Sequence, residues 1–355
     1  MLMDPFFTLF EKSFREYNTS SLRKNHMEMI TFSQPHVSQT IKLLEASKYI
    51  DVRIVKTLKK KLCWITKVSY MYDNTLVSLC IGHESKIQNV VHDEINNVLT
   101  LLNYYLVVLN KINHRKRIDI TIHLVDIPKK IPARKTLKKL AAYDINSGYS
   151  SFGDYHHEIL VYRKEEWTKV LLHEMVHCWD IMFHRYDPEI DKILMEKLGI
   201  IVERPLNVMN PLALYETFTD FFACYGHVIT CALFKKNGDV KKLCRKEIQH
   251  IMRQGQKVWQ FSRTESSHAF AYYVAKAAVF HRLEAYISLV NKNGLNATLQ
   301  GDTYMNLLQD CLNDTIFWRK MNGKILSNKT TNKTDTSLRM TTSVFSAEKH
   351  LRILS

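Results

Sequence analysis

The chain has 355 residues, of which 46% are apolar, enough to bury the core of one large domain or two modest ones. Its 10 glycines and 7 prolines exclude collagen-like, proline-rich and turn-dense all-β architectures and point to long helices. A formal charge of +15 leaves nucleic acid, an anionic surface or an acidic protein as partners, beside the plain alternative of a lysine-rich composition that serves no partner.

The first residues, Met1-Leu2-Met3-Asp4-Pro5-Phe6, have neither a basic nor a long apolar stretch, so no cleaved signal peptide is expected. No run reaches the roughly 18 uninterrupted apolar residues of a membrane span; the nearest, 98–109, is broken by Thr100 and Asn103. Amphipathic stretches at 36–49 and 94–110, with strand-like runs at 62–70 and 75–82, make 1–110 a mostly helical N-terminal region without an assignable role. Ile118, Ile120, Ile122 and Leu124 then alternate with Asp119, Thr121 and His123, the two-residue period of a half-buried strand. Pro128 and Pro132 end it, and Lys129, Lys130, Arg134, Lys135, Lys138 and Lys139 form a basic connection. After a small-residue stretch at 146–151 and a second strand-like run at 158–162, a helix is predicted over 164–183, with Glu165 and Glu166 where its dipole favours acids. Helical spacing continues to about residue 287, and the polar, core-poor 323–355 is predicted to be a mobile tail. Seven cysteines at irregular spacing without a CxxC fit reduced thiols in cytoplasm or nucleus, where the sequons at Asn328 and Asn332 would be silent.

Within the predicted helix stands His173-Glu174-Met175-Val176-His177. Residues four apart share a helix face, so both imidazoles can reach one Zn²⁺ while Glu174 lies beside the remaining coordination position. A catalytic zinc site needs a third protein ligand. The HExxHxxGxxH pattern fails, since Asp180 stands where glycine is needed, Phe183 where the third histidine would be, and His184 is one residue late. The better candidate is Glu216 in the apolar helical run 215–223, with Asp220 one turn on. Acids in such a run need partners, and Glu216 as ligand and Asp220 on the free N–H of a ligand histidine would satisfy both. Donors for a developing oxyanion are sought among His268, Tyr272 and Tyr273, then His227 and Tyr225, with Tyr273 the chosen one. His83 and the pair His156-His157 lack an i+4 partner and are expected at the surface, and Cys178 is expected to be a small packed residue.

HExxH followed by a downstream ExxxD helix resembles the gluzincin metallopeptidases, and here the pattern is His173, Glu174, His177, Glu216 and Asp220. The run 159–167 leading into it resembles predicted metallopeptidases of large DNA viruses over about 146–278. The resemblance implies an α+β, zincin-like fold, with a small sheet, then the HExxH helix, then a helical C-terminal subdomain. The peptidase domain would occupy 111–322, and its edge strand, 146–151 or 158–162, would pair with extended substrate. Two departures stand out: 38 residues (178–215) separate His177 from Glu216, implying an insertion around 185–210, and the GxMEN motif of one aminopeptidase group is absent. The leading expectation is a zinc-dependent peptidase acting on a protein or peptide, acidic if the basic surface rims the cleft. In it Zn²⁺ on His173, His177 and Glu216 would acidify water to a pKa of about 7 and Glu174 would act as general base. The alternative is a basic nucleic-acid-binding or virion structural protein with a non-catalytic zincin-like fold, motivated by the tracts 56–61, 111–117, 129–139 and 235–246.

Overall fold

The alternation at 118–124 becomes the strand β4 (Arg117–Leu124), with Ile118, Ile120 and Ile122 buried on one face. It lies inside a six-stranded mixed sheet of order β1-β2-β3-β4-β6-β5. The computed structural model describes residues 5–19, 28–32, 34–46, 50–72, 74–132, 139–152, 157–181, 188–202, 212–235, 238–265, 267–293, 301–323, 336–342 and 345. β1 (Glu28–Phe32), β2 (Trp64–Tyr72) and β3 (Thr75–His83) run antiparallel in succession, and Asn74, at φ 62°, takes the left-handed turn position between β2 and β3. β3, β4 and β6 (His157–Val161) are parallel, and β5 (Gly148–Phe152) closes the edge antiparallel to β6.

The boundary expected at residue 110 does not divide this sheet, because β3 pairs with β4 along eight registered residues from Leu76↔Arg117 to His83↔Leu124. Residues 1–110 are mostly helical, as expected, and their three strands also form half the sheet. The crossover between β3 and β4 is α4 (Gln88–Asn110), whose run from Val98 to Leu102 and from Tyr104 to Leu109 is buried. The apolar stretch nearest to a membrane span is thus the central helix of the core, and no helix among the described residues is long and apolar enough to cross a membrane.

One face of the sheet carries Val77, Leu79, Ile81, Ile118, Ile120, Ile122, Ile159 and Val161 into the main core with α4. The other face, with Ile65, Leu160 and Tyr162, is covered by α2 (Gln34–Ala46) and α3 (Val52–Lys61). Beyond the single turn α5 (Ala142–Ile145), α6 (Trp167–Cys178) and α8 (Tyr215–Leu233) belong to the main core, and the residues from Thr168 to Cys178 and from Glu216 to Ala232 are buried. Gly226 lets these helices close on each other: a Cβ there would stand 2.4 Å from Phe10 of α1 (Pro5–Thr19) and 3.1 Å from Leu172 of α6. The predicted helix 164–183 is shorter than expected. A 3₁₀ turn at Lys164–Glu166 precedes it, and Asp180, at φ 56°, ends it in the left-handed conformation.

The insertion before Glu216 contains α7 (Pro188–Leu198) and the two-residue β7 (Ile201–Val202), which pairs with β8 (Thr264–Glu265). Beyond α8 come α9 (Val240–Phe261), a π-helical segment Phe270–Ala275, α10 (Lys276–His281), α11 (Leu283–Asn293), α12 (Gly301–Leu312) and α13 (Thr315–Asn322).

The tail also departs from expectation. Residues 336–342 return to the core, where Leu338, Met340 and Thr341 are buried. Leu338 N–H donates to Lys129 O, Ile131 N–H donates to Thr336 O, and Lys257 donates to Ser337 O, so the segment ties the loop after β4 to α9. The sequons, Phe183, His184, His156 and 134–138 lie outside the described residues.

Candidate metal centre

α6 places His173 and His177 on one face, one turn apart, and the first turn of α8 brings Glu216 against them. The three donor atoms form a near-equilateral triangle. His173 Nε2 and His177 Nε2 are 3.1 Å apart, and Glu216 Oε2 lies 3.2 Å from the first and 3.1 Å from the second. Tetrahedral bonds of about 2.0 Å set ligand atoms about 3.3 Å apart, so the set fits one small metal ion. All three residues are buried, and among the described residues they are the group of histidine, cysteine and acid side chains able to hold a metal ion.

Their electrostatics belong to the same arrangement. Burial drives His173 towards the neutral imidazole, with a pKa lowered to about 3. Burial also opposes the charged forms of Glu216 and His177, but each holds the other's charge: Glu216 lies well below the usual carboxylate range and His177 is raised. His173 Nδ1 donates to Asp220 Oδ1 at 3.1 Å, which leaves its Nε2 as a lone-pair donor facing the triangle.

Glu174 sits on the strand side of α6. Ser150 of β5 donates its hydroxyl to Glu174 Oε2 at 2.9 Å, and burial pushes the carboxyl pKa up to about 7. This close approach depends on Gly148, where a Cβ would meet Leu160 O at 2.6 Å, Val170 Cγ1 at 2.9 Å and Glu174 Oε1 at 3.1 Å. Because β5 is at the sheet edge and β6 is interior, the question left open between 146–151 and 158–162 resolves to β5. Tyr162 N–H bonds Ser147 O, so in the antiparallel alternation Gly148 and Ser150 turn their main-chain groups to the outer edge, which no strand among the described residues pairs. The strand is held by Arg163, fully buried, whose guanidinium donates to Asn146 O, Ile127 O and Tyr143 O.

The oxyanion candidates separate clearly. Tyr273 is a correction: it is 1% exposed and its hydroxyl donates to Leu338 O at 2.7 Å, a structural bond to the returning C-terminal segment. Its neighbour Tyr272 faces the centre, edge-on to His173 with ring centroids 5.7 Å apart. Burial and then the charges of Glu216 and Glu174 hold its phenol well above the ordinary pKa, so it remains a proton donor. His268 stands beside it, at 6.2 Å between rings and at φ 60°. The turn is fixed by Glu265, whose carboxylate accepts from the N–H groups of Ser267, Ala269 and Phe270. His227 instead faces Thr168 and Cys231, and Tyr225 packs among Phe6, Phe221 and Phe280.

Other expectations also change. His83 is not at the surface: it is fully buried, bonded to Glu94 and Thr66, and His157 is buried on β6. Within the basic connection, Lys129 is buried and ion-paired to Glu166 at 2.8 Å. Cys178 is buried as expected. Sequence reasoning missed Gly148, Ser150, Lys169 and Lys276. Both lysines are 1% exposed and both contact Asp220. A lysine four residues before His173 in an otherwise apolar helix was the available signal for the first.

Comparison of the chain with family models, with curated proteins and with solved structures returns no match. The functional reading rests on the geometry and chemistry of the site.

Proposed function

We propose that this chain is a zinc-dependent peptidase of the gluzincin type, with a zincin-like arrangement of sheet, HExxH helix and helical half. The observation that carries the reading is the position of Glu174, on the same helix as two of the three metal donors and in hydrogen-bond contact with the edge strand. Two imidazoles with one carboxylate are a donor set of catalytic zinc, which leaves room for water and substrate. When bound, the ion supplies a Lewis acid that makes water acidic near neutral pH and polarises a carbonyl.

The chain's own residues supply the remaining chemistry. An extended substrate adds to the free edge of β5 through the main-chain groups of Gly148 and Ser150, which lays a peptide bond along the face of α6. Glu174, raised towards neutrality, takes the proton of the attacking water and delivers it to the leaving amine. Tyr272 donates its hydroxyl to the oxygen on which negative charge develops. His173 and His177 keep Nε2 directed at the metal position, the first through its bond to Asp220.

The test combines metal analysis with turnover of a fluorogenic peptide library by wild type, His173→Ala and Glu174→Gln. About one zinc per chain is expected in wild type and in Glu174→Gln, with hydrolysis by wild type alone. A wild type that binds no zinc under saturating conditions refutes the proposal. The partner is therefore a protein or peptide; acidic character would show as turnover that falls steeply with salt.

A further inference from the structure

Asp220 is fully buried and receives four donors, of which the Cys224 thiol is the most distant, at 4.0 Å from Oδ2. Oδ1 accepts from His173 Nδ1 at 3.1 Å and from the Lys169 ammonium, and Oδ2 accepts from Lys276 Nζ at 2.5 Å. The two lysines are themselves buried, and neither can touch a substrate in the cleft. Burying an ammonium is expensive unless it is paired, so two of them around one carboxylate require an explanation that hydrolysis does not supply. Lys169 lies one turn before His173 on α6, Asp220 lies one turn after Glu216 on α8, and Lys276 begins α10 directly after the segment that carries Tyr272. The carboxylate therefore joins the two helices that bear the metal donors to the helix that directly follows the phenol-bearing segment. Lys169 is seated on its far side by Met340 Sδ at 3.3 Å, and Lys276 by Cys224 Sγ at 3.5 Å.

A carboxylate with a single imidazole partner can rotate about its terminal torsion, and the imidazole can then exchange its proton between Nδ1 and Nε2. Ammonium groups on both oxygens remove that freedom. We propose that Lys169 and Lys276 are positioning residues of the metal centre, pinning Asp220 so that His173 keeps its proton on Nδ1 and its Nε2 free for metal. This rests on the metal-centre reading above, and goes beyond it in assigning the tautomer to two lysines that touch neither metal nor substrate.

The experiment has two readouts. Long-range ¹H–¹⁵N correlation spectra of the metal-free protein report the His173 tautomer, and competition with a chromogenic chelator reports zinc affinity. Wild type is expected in the Nδ1–H form. Lys169→Met and Lys276→Met are expected to show a mixture with the Nε2–H form and zinc binding weakened by about 10- to 100-fold. Lys276→Gln keeps an N–H donor on Asp220 and is expected to retain the wild-type tautomer. A folded methionine variant with wild-type tautomer and affinity overturns the proposal. So does a Lys276→Gln as perturbed as Lys276→Met, which would make charge, not position, responsible. Since either lysine can be tested, one variant that fails to fold leaves the other, and Lys276→Gln, decisive. Failure of wild type to bind zinc would refute the metal reading, while the tautomer comparison would still decide the role of the lysines.

Discussion

Gly148→Ala is the substitution through which the fold and the chemistry are most tightly linked. The added Cβ would lie 2.6 Å from Leu160 O, 2.9 Å from Val170 Cγ1 and 3.1 Å from Glu174 Oε1, whereas ordinary contacts start near 3.4 Å. Leu160 O belongs to the backbone of β6 and cannot turn aside, so β5 must shift by nearly an ångström against β6 and by several tenths of an ångström against Val170 and Glu174 of α6. Overpacking of this kind costs about 1–3 kcal/mol of stability. Its effect on turnover is expected to be larger, because parting β5 from α6 moves the substrate edge away from Glu174. A misplacement on the order of 1 Å lowers turnover about 100-fold, close to 2.7 kcal/mol of barrier. His173, His177 and Glu216 do not touch Gly148, so zinc content should stay at the wild-type level. The assay is kcat/KM on a cleaved library peptide, alongside zinc content and the thermal midpoint. Wild-type turnover with an unchanged midpoint would refute the close approach of β5 to Glu174.

Three further outcomes follow from the same geometry. Tyr272→Phe should lower kcat by about 10²–10³ with zinc retained, the scale of one lost oxyanion donor, whereas Tyr273→Phe should cost about 1 kcal/mol of stability and spare kcat; the reverse pattern would reinstate Tyr273. Leu338→Ala should destabilise by about 2–5 kcal/mol in denaturant melts, as truncation of a fully buried leucine does, and a change below 0.5 kcal/mol would contradict a packed C-terminal segment. Glu166 carries a pH prediction. Burial opposes its charge, but Lys129 beside it and the Met340 N–H lower its pKa from 4.5 to about 2. Because the folded pKa is depressed, the stabilisation is complete above about pH 4.5 and is lost as pH falls towards 2, roughly 3 kcal/mol in all. Melts of wild type and Glu166→Gln should converge across that window, and parallel losses would contradict the pairing.

The candidate metal donors were legible in the sequence because helical spacing is local: i and i+4 in His173 and His177, and again in Glu216 and Asp220, fix a shared face before any tertiary structure is known. The same holds for β4, whose isoleucines alternate over a full strand. What was hidden is non-local. Whether β5 or β6 forms the sheet edge is decided by pairing with β4, which neither strand's composition records. Tyr272 and Tyr273 are adjacent, and they lie in a π-helical segment, where the wider turn spoils a face assignment made with a 3.6-residue period. Residues 336–342 show only Leu338 and Met340 as apolar in a polar stretch, and their burial depends on backbone bonds to Lys129 and Glu166, some 170 to 210 residues earlier. Lys169 and Lys276 are paired through Asp220, which lies on another helix, so neither residue's local sequence identifies its partner.

The central claim is hydrolysis that needs both the metal triangle and Glu174. Zinc-loaded wild type and zinc-loaded Glu174→Gln, matched for metal content, should be incubated with one peptide library and the products read by mass spectrometry. New amino termini from wild type, and at least 10³-fold fewer from Glu174→Gln, are the predicted result for loss of a general base. Equal cleavage by the two proteins, or no cleavage by zinc-loaded wild type of any library or folded protein substrate, would contradict it.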